Sequence, residues 1–254
     1  MESGSIKNTY LIHKRLGETP LEALLRLRVE EHIPDDVPMT YAGRLDPAAE
    51  GLLIILTGEE CKQKDTYTGL AKTYEAEILL GVSTDTYDLL GMPVVASNSV
   101  QAFEEGLTQT LDLYLKSKMG KQTQTYPPYS SKTVGGKQLH THAKEGTIVE
   151  LPTHEVSLDA YTRLSVGSRT REEILTRVHN LTEIVTGDFR QGEICAAWTG
   201  LAERLPAELC SIKVTLTVSS GFYIRQLAED IGVVIGTGAC LYSLTRVKIG
   251  EWSH

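Results

Sequence analysis

The chain has 254 residues, of which 41% are hydrophobic and 23% are charged, and its formal net charge at pH 7 is −8. This composition is sufficient for a substantial core and excludes a largely disordered chain. No apolar run approaches the roughly 20 residues that cross a bilayer, and no basic-then-apolar leader opens the sequence, so we expect a cytoplasmic protein.

The first part of the chain predicts one helix and two strands. Residues 19–32 carry leucines at helical spacing after a Thr-Pro pair, with Thr19 as the N-cap and Pro20 at the first helical position. Residues 51–58 form a short apolar run between glycines, which is typical of a central strand. Residues 71–81 alternate apolar and polar side chains, which predicts a strand with one solvated face.

The remaining elements mix helices and strands irregularly. A polar loop, residues 83–93, precedes an amphipathic helix predicted over residues 100–115. Later segments predict strands at 154–166, 211–219 and 241–250, a helix at 170–185, and a turn leading into a helix within 220–236. Because strands outnumber helices without regular alternation, we predict an α+β fold with a mostly antiparallel central sheet flanked by helices, in one domain over residues 1–254.

Residues 116–150 differ from the rest of the chain in composition. The segment is polar and rich in glycine, proline and tyrosine, and six lysines occur between residues 116 and 144 without any acidic residue. Long excursions from compact domains are often functional, and a basic arm on an acidic body suits nucleic acid. A lysine-rich solvated loop explains the same composition, so charge alone leaves both interpretations open.

Asp46 stands at the mouth of the apolar strand, in the segment AGRLDPAAEG. Pro47 biases its backbone toward an extended conformation, and Gly43 and Gly51 bracket the loop, so the carboxylate would be held partly desolvated. An ordinary Asp-Pro turn accounts for the same residues.

Arg225 lies among apolar residues in SSGFYIRQLAEDIG, where an unpaired guanidinium is costly. Asp46 is a candidate partner, and the pairing would keep its carboxylate ionised and oriented. Glu229, four residues further along the same predicted helix, is the alternative partner.

Several tyrosines lie beside polar or basic residues rather than inside apolar runs. They are Tyr74, Tyr126, Tyr129 and Tyr223. Aromatic rings interleaved with lysines suit a flipped base and its phosphate backbone, whereas each ring alone is equally compatible with packing.

Metal and disulfide chemistry are not indicated. The four cysteines occur without a Cys-x-x-Cys pair, which favours reduced, buried thiols. His140 and His142 would share one face of a strand but have no third ligand nearby, so we expect no metal site.

Seven segments, in order, resemble the motifs of the TruB-type tRNA pseudouridine synthases, a family that isomerises uridine 55 in the T-loop of tRNA. They are HKRLGETP, AGRLDPAAEGLL, KTY, GVSTDTYDLLG, PPYSSKTVGGKQLHTHAKEG, SSGFYIRQLAEDIG and GACLYSLTRVKIG. Each motif is weak alone, but their order covers roughly residues 11–250. The resemblance implies a pseudouridine-synthase-like fold in which the basic segment is an RNA-clamping insertion.

The resemblance also implies roles for individual residues. Asp46 falls on the catalytic aspartate, which would act on a flipped-out uridine either at the sugar anomeric carbon or by abstracting a proton there. Arg225 falls on the active-site arginine, Tyr74 on the stacking tyrosine and Leu244 on the apolar residue beneath the base. Further substrate-binding candidates are Tyr223, Tyr41, Arg44, Lys72, Tyr129, Lys132, Lys137 and Lys144. The implied partner is the tRNA T-arm, and no metal, cofactor or protein partner is implied.

The chain departs from the family pattern at several places. Tyr41 replaces the histidine usually found five residues before the aspartate. Arg44 replaces a small residue, and the resulting GRLD is similar to sister families that modify ribosomal RNA. The lysine of the family's Tyr-Ser-x-x-Lys falls on Thr133, beside Lys132. We also expect no C-terminal PUA domain.

Three alternatives to a tRNA enzyme remain. The GRLD sequence suggests a synthase for ribosomal or other RNA, whereas TDTYDLLG and YSSK…AKEG favour the tRNA branch. A non-catalytic RNA-binding or RNA-folding protein on the same scaffold would not need Asp46, Tyr74 and Arg225 together. A hydrolase with Asp46 as general acid would not need the basic arm.

Overall fold

A computed structural model of the protein describes residues 6–95 and 106–253. The strands are β1 (Thr9–Lys14), β2 (Met39–Ala42), β3 (Glu50–Thr57), β4 (Lys72–Leu80), β5 (Val82–Thr84), β6 (Pro93–Val95), β7 (Gly120–Thr125), β8 (Thr133–Val134), β9 (Lys137–Gln138), β10 (Thr153–Thr170), β11 (Glu208–Val218), β12 (Ala239–Ile249) and β13 (Trp252–Ser253). The helices are α1 (Pro20–Glu30), α2 (Lys64–Gly69), α3 (Leu107–Ser117), α4 (Leu139–Lys144), α5 (Arg171–Ile184), α6 (Gln191–Gly200) and α7 (Ile224–Ile235).

The centre of the described structure is a nine-stranded sheet in the order β1-β3-β12-β4-β11-β10-β7, with β2 paired to β3 and β13 to β12. The pairs are antiparallel except β3 with β12, where Thr245 lies opposite Glu50 and Arg246 opposite Gly51. Short antiparallel pairs, β5 with β6 and β8 with β9, lie outside this sheet. The predicted α+β class with a mostly antiparallel sheet is therefore confirmed.

Local capping signals explain where two helices begin. Thr19 caps α1 by a reciprocal capping box with Glu22, and Pro20 occupies the first turn, as predicted. Thr170 and Glu173 form the same box at the start of α5. The predicted helix at 19–32 and the predicted strands at 51–58 and 71–81 are confirmed as α1, β3 and β4. The single solvated face predicted for β4 is found only at its start, since Glu77 is buried and paired with Arg169.

Helices cover both faces of the central strands. On β4, Ile78 packs in one core cluster and its neighbour Leu79 in another, because successive side chains of a strand point to opposite faces. The first cluster includes residues of α3 and α7, and the second includes residues of α5 and α6. This two-sided cover holds the middle of the sheet rigid, which matters because β4 and β12 both carry site residues.

The structure corrects part of the sequence analysis. The polar excursion predicted from residue 116 is partly regular, since residues 116 and 117 end α3 and residues 120–125 form β7 at the sheet edge, paired with β10. The predicted helix at 100–115 is observed from Leu107 onward, and its residues 100–105 lie outside the described residues. The sequence analysis did not predict β1, β2 or α6.

None of the described helices combines the length and the apolarity needed to cross a membrane.

Candidate active site

Asp46 and Arg225 form an ion pair, as the sequence predicted. The Nε atom of Arg225 donates to Oδ2 of Asp46 at 2.8 Å. Asp46 lies in the loop between β2 and β3, where its carbonyl accepts from the Ala49 N–H at 3.0 Å and closes a turn. Arg225 occupies the first turn of α7. The loop therefore presents the acid, and the helix start supplies the cation that holds it.

The guanidinium of Arg225 is engaged on every nitrogen. Nη1 donates to the Thr86 carbonyl at 2.7 Å and Nη2 to the Tyr129 carbonyl at 3.2 Å, while Asp88 Oδ2 lies 3.7 Å from Nε. The residue is only 5% exposed. The alternative pairing with Glu229 was therefore wrong, because the acids at Arg225 come from two loops distant in sequence.

Asp88 is a second acid of the site that the sequence analysis did not single out. Burial raises its pKa to about 6, and the nearby Asp46 charge adds to this, while Arg225 opposes it. Its Oδ1 accepts from the Thr86 hydroxyl at 2.8 Å and from the Leu90 N–H at 3.0 Å. The signal was present in the TDTYDLLG motif, but only the fold shows that its second aspartate reaches Arg225.

The two acids also change the pKa of Arg225. Its burial alone would lower the pKa of the guanidinium, but the charges of Asp46 and Asp88 raise it above the ordinary value. The cation is therefore permanent, and it holds Asp46 from within the protein while 43% of the Asp46 side chain stays exposed.

A cleft of about 370 Å³ opens in front of Asp46, within the roughly 300–1,000 Å³ range of small-ligand sites. Its lining includes the predicted residues Tyr41, Arg44, Asp46, Lys72, Tyr74, Tyr223, Arg225 and Leu244, together with Lys64, Thr68, Phe222 and Arg246. Tyr74 on β4 lies opposite Arg246 on β12, and Leu244 lies two residues before Arg246 on β12. An aromatic ring and an aliphatic side chain thus lie close together on the sheet beside the acid.

Buried cations support the loops around the cleft. Arg246 is 1% exposed, and it donates from Nε to the Leu52 carbonyl at 2.6 Å and from Nη1 to the Arg44 carbonyl at 3.0 Å. The second contact fixes the segment that carries Asp46. Lys72 donates to the Thr68 carbonyl, and its burial lowers its pKa to about 8.

Lys14 on β1 is a further buried cation that the sequence analysis did not assign to the site. It donates from Nζ to the carbonyls of Arg15 and Glu18, at 2.9 and 2.7 Å. Burial lowers its pKa to about 8, against the attraction of Asp46 and Glu18. The side chain therefore contributes positive charge close to Asp46.

Tyr223 forms one wall of the cleft and is held by its backbone. Its N–H donates to Gln124 Oε1 at 2.8 Å, and Gln124 Nε2 donates to its carbonyl at 3.0 Å. Burial, together with the charge of Asp46, raises the pKa of the Tyr223 hydroxyl. Its ring lies edge-on to Tyr126 and to His154, which are stacked on each other at 4.0 Å.

Tyr41 and Arg44 lie at the mouth of the cleft. The Lys64 ammonium lies 5.5 Å from the centre of the Tyr41 ring, within cation–π distance. The position where the family usually has histidine therefore presents an aromatic surface with an adjacent positive charge.

The other predicted substrate-binding residues lie outside this lining. The Tyr129 hydroxyl donates to Asp85 at 3.1 Å, Lys137 pairs with Glu145 at 2.9 Å, and Lys144 pairs with Asp188 at 2.8 Å. The Lys132 ammonium lies 5.4 Å from the Tyr126 ring centre. The structure brings together the predicted residues of the cleft but not these four.

Within the described residues, no group of three or more His, Cys, Asp or Glu side chains is arranged to hold a metal ion. His140 Nδ1 lies 3.2 Å from the Ser130 carbonyl and His142 Nε2 lies 3.0 Å from the Val134 carbonyl, so both rings are engaged by backbone.

Comparisons with known proteins identify the family of this chain. Residues 37–184 match the family described as TruB family pseudouridylate synthase, N-terminal domain. A tRNA pseudouridine synthase B of Xanthomonas campestris pv. campestris is 33% identical over 209 residues, covering 82% of this chain and 53% of the relative. The Bacillus pumilus protein of the same name is 28% identical over 248 residues, covering 98% of this chain and 67% of that relative. The chain thus spans about half the length of the first of these relatives.

Solved structures show the same fold. A crystal structure of a Cbf5-Nop10-Gar1 complex matches 97% of this chain and 50% of that chain, with a TM-score of 0.57 and 15% identity. A structure of an H/ACA RNP bound to a substrate RNA containing 2′-deoxyuridine matches 97% of this chain and 48% of that chain, with a TM-score of 0.53 and 15% identity. These likenesses establish the fold of the described residues.

Proposed function

Since this chain belongs to the TruB family of pseudouridylate synthases, we propose that it isomerises uridine to pseudouridine at position 55 in the T-loop of tRNA. The family resemblance predicted from the motifs is confirmed by the match over residues 37–184. The curated relatives that carry the name tRNA pseudouridine synthase B support tRNA as the substrate. We propose that the protein acts on tRNA in the cytoplasm.

The observation that carries the proposal is the arrangement around Asp46. Its carboxylate is tied to the buried Arg225 at 2.8 Å, and it also lines a cleft beside Tyr74 and Leu244. A nucleophile or base needs a fixed, accessible carboxylate, and a flipped base needs flat apolar surfaces to replace its lost stacking. The cleft supplies both within one chain.

The reaction is an isomerisation, and its atoms balance without a cofactor. The bond between uracil N1 and the sugar C1′ breaks, the uracil turns, and C5 forms a new bond to C1′. C5 then loses its proton to solvent while N1 takes up a proton. Asp46 would start this sequence in one of two ways. It would attack C1′ and form a bond that breaks again when C5 bonds to C1′, or it would remove a proton from the sugar there and return it to the sugar after the new bond has formed. Arg225 would hold Asp46 in position for either route.

Tyr74 and Leu244 would receive the extruded uracil. Extrusion of a base costs a few kcal/mol, whereas stacking of a base on an aromatic ring contributes about 1–3 kcal/mol. Both residues are mostly buried, and each stands on a central strand of the sheet, so the ring and the aliphatic side chain are held rigidly. Tyr223 and Phe222 line the same cleft.

We propose that the basic insertion, residues 116–150 of one catalytic domain, contacts the phosphates of the T-arm. In the free protein Lys137 and Lys144 are paired with Glu145 and Asp188, and both ion pairs are largely exposed. Exposed pairs contribute little to stability, so RNA phosphates can compete for these lysines. Lys132, above the Tyr126 ring, would extend the same contact toward the cleft.

Tritium release tests the proposed reaction directly. A tRNA transcript labelled at uridine C5 releases tritium only when C5 loses its hydrogen. We expect release from the T-loop position with the native protein, and near-complete loss in Asp46→Ala with RNA affinity largely kept. Asp35→Ala is the matched control, because Asp35 is fully exposed and remote from the cleft lining.

Other outcomes would support different functions. Release only from ribosomal RNA would identify a synthase of the sister kind, and tight binding of tRNA with no release would identify a non-catalytic RNA-binding protein. Loss of binding in step with turnover in Asp46→Ala would contradict the catalytic role assigned to Asp46.

A further inference from the structure

Three segments distant in sequence meet behind Arg225 at a clamp made of Asp85, Tyr129 and Arg190. Arg190 binds Asp85 through two parallel contacts, Nη1 to Oδ2 at 2.8 Å and Nη2 to Oδ1 at 3.2 Å. The Tyr129 hydroxyl donates to the same Oδ2 at 3.1 Å, and the Arg190 guanidinium lies 4.7 Å from the Tyr129 ring centre. A forked arginine that also stacks on a ring fixes both partners in orientation.

The backbone that presents Arg190 is itself held rigidly. Arg190 adopts a left-handed conformation, with φ of 58°, as the N-cap of α6. The neighbouring Gln191 side chain donates to the carbonyls of Val185 and Gly187 at 3.0 and 2.7 Å, and accepts from the Phe189 N–H at 3.1 Å. These contacts close the short connection between α5 and α6, so the guanidinium projects from a fixed turn.

The same helix is also anchored to the loop that carries Asp85. The buried Trp198 on α6 donates from its indole nitrogen to the Gly91 carbonyl at 3.1 Å. Gly91 has no room for a side chain, since a Cβ would lie 2.3 Å from the Thr86 hydroxyl oxygen. Asp85 Oδ1 accepts from the Met92 N–H at 2.8 Å and ties the two ends of the loop together.

Arg225 depends on backbone groups beside this clamp. Its two Nη atoms donate to the carbonyl of Thr86, the residue after Asp85, and to the carbonyl of Tyr129. The two carbonyls that accept from the Nη atoms therefore belong to segments that Arg190 holds through the side chains of Asp85 and Tyr129. Arg190 is 19% exposed and is not among the described residues that line the cleft.

We propose that Arg190 is a positioning residue for the isomerisation, acting through Asp85 and Tyr129 on Arg225 and hence on the orientation of Asp46. This inference rests on the proposed function. Misplacement of a reacting group by about 1 Å can cost on the order of 100-fold in rate, so a distant clamp can affect turnover strongly. Loss of the Arg190 side chain should therefore lower the rate at saturating tRNA and leave tRNA affinity nearly unchanged. Arg190 does not line the cleft, and its described contacts do not include the exposed lysines of the insertion.

A neighbouring ion pair provides the matched control. Lys144 donates to Asp188 Oδ2 at 2.8 Å and so also joins the insertion to the connection between α5 and α6, but it has no contact with Asp85. The Asp188 carboxylate also interacts with the Arg190 backbone, and asparagine keeps an acceptor oxygen for that contact while removing the charge paired with Lys144. If a general tether of the insertion were enough, Asp188→Asn and Arg190→Gln would have similar effects. If the clamp orients Arg225, only Arg190→Gln slows the reaction.

The test measures single-turnover tritium release at saturating tRNA, tRNA affinity and thermal unfolding for Arg190→Gln, Arg190→Lys and Asp188→Asn. We expect Arg190→Gln to lower the saturating rate by about tenfold or more with affinity changed less than about threefold. Arg190→Lys, which keeps the charge without the fork, should fall between native and Gln, and Asp188→Asn should match the native rate. The double variant Asp85→Asn/Arg190→Gln should be no slower than Arg190→Gln alone, since both act through one contact.

Two results would overturn the inference: an unchanged saturating rate in Arg190→Gln, or an equal loss in Asp188→Asn. A readout independent of activity separates it from the proposed function. The Arg225 Nε–H resonance should shift in Arg190→Gln and not in Asp188→Asn. A native protein that releases no tritium contradicts the proposed function, and the clamp is then judged on this resonance, where no shift rejects it.

Discussion

Arg225 and Asp46 lie 179 positions apart in the chain and are joined by a hydrogen-bonded ion pair of 2.8 Å. The pair is asymmetric, since the guanidinium is almost fully buried while the carboxylate remains 43% exposed. The cation therefore acts as a support fixed in the protein, and the acid is the member of the pair that a substrate can reach. A third member, Asp88, lies behind the support at 3.7 Å from Nε and adds a second negative charge.

Two substitutions of Arg225 should distinguish the effect of its charge from the effect of its hydrogen-bond geometry. Arg225→Lys keeps a cation but cannot reach Asp46 and the Thr86 and Tyr129 carbonyls at once, so we expect the saturating rate of tritium release to fall at least about 100-fold. Arg225→Met should also destabilise the fold, by roughly 3–5 kcal/mol, because Asp88 would lose its buried counter-ion. Arg163→Lys, at an exposed ion pair with Glu75, is the control. A rate within threefold of native in Arg225→Lys would contradict this assignment.

Asp88 should make stability depend on pH below neutrality. Its pKa is about 6 in the folded protein against 3.8 for the unperturbed group, so the folded state binds more protons between these values. The free energy of unfolding attributable to Asp88 should therefore be highest below pH 3.8 and fall as pH rises through about 6, by up to roughly 3 kcal/mol. The measurement is urea unfolding across this range, with Asp88→Asn as the comparison. Equal slopes for the native protein and the variant would argue against a raised pKa.

Lysines of the insertion should control the salt dependence of RNA binding. Each phosphate contact that is lost should reduce the slope of log affinity against log salt by about 1. We expect this change for Lys132→Ala and for Lys121→Ala, measured by filter binding of tRNA between low and physiological salt. Lys62→Ala is the control, since Lys62 is exposed, is paired with Glu59 and does not belong to the insertion. An unaltered slope in the insertion variants would place the phosphates elsewhere.

Two glycines of the Asp46 loop should differ in their tolerance of a side chain. Both have positive φ, +85° at Gly43 and +111° at Gly51, but a Cβ at Gly51 would lie 2.3 Å from the Arg246 carbonyl oxygen, whereas none of the described atoms lies within 4 Å at Gly43. Gly43→Ala should cost only the backbone strain, about 1–2 kcal/mol. Gly51→Ala should cost more, because β3 and β12 must separate where they pair in parallel. Chemical unfolding of both variants checks the order, and equal losses would contradict it.

Much of the fold could be predicted because its signals are local. The capping residues of α1, the apolar run of β3 and the alternation of β4 each lie within one short segment, and the structure confirms all three. β7 was missed because GKQTQT has no apolar alternation, and its strand conformation comes from backbone pairing with the edge of β10. Regular structure that depends on a distant partner leaves no local pattern.

The residues of the candidate site also differ in whether a local sequence pattern could predict them. The motifs identified Asp46, Arg225, Tyr74 and Leu244, and the structure places all four around one cleft. Tyr129, by contrast, was predicted to bind substrate from its motif, but its hydroxyl bonds to Asp85 and its carbonyl to Arg225. Arg190, which completes this contact, lies in none of the recognised motifs, so no sequence signal pointed to it.

The order of residues in the chain was enough to indicate the family, a candidate acid and a candidate cation, because side-chain chemistry and short-range spacing are written in the sequence. The choice of Asp46 over Glu229 as the partner of Arg225, the contact of Asp88 with Arg225 and the clamp at Arg190 came from the folded chain. Each of these contacts joins residues more than about 100 positions apart. Such contacts depend on which strands become neighbours in the sheet, and local residue patterns do not specify those neighbours.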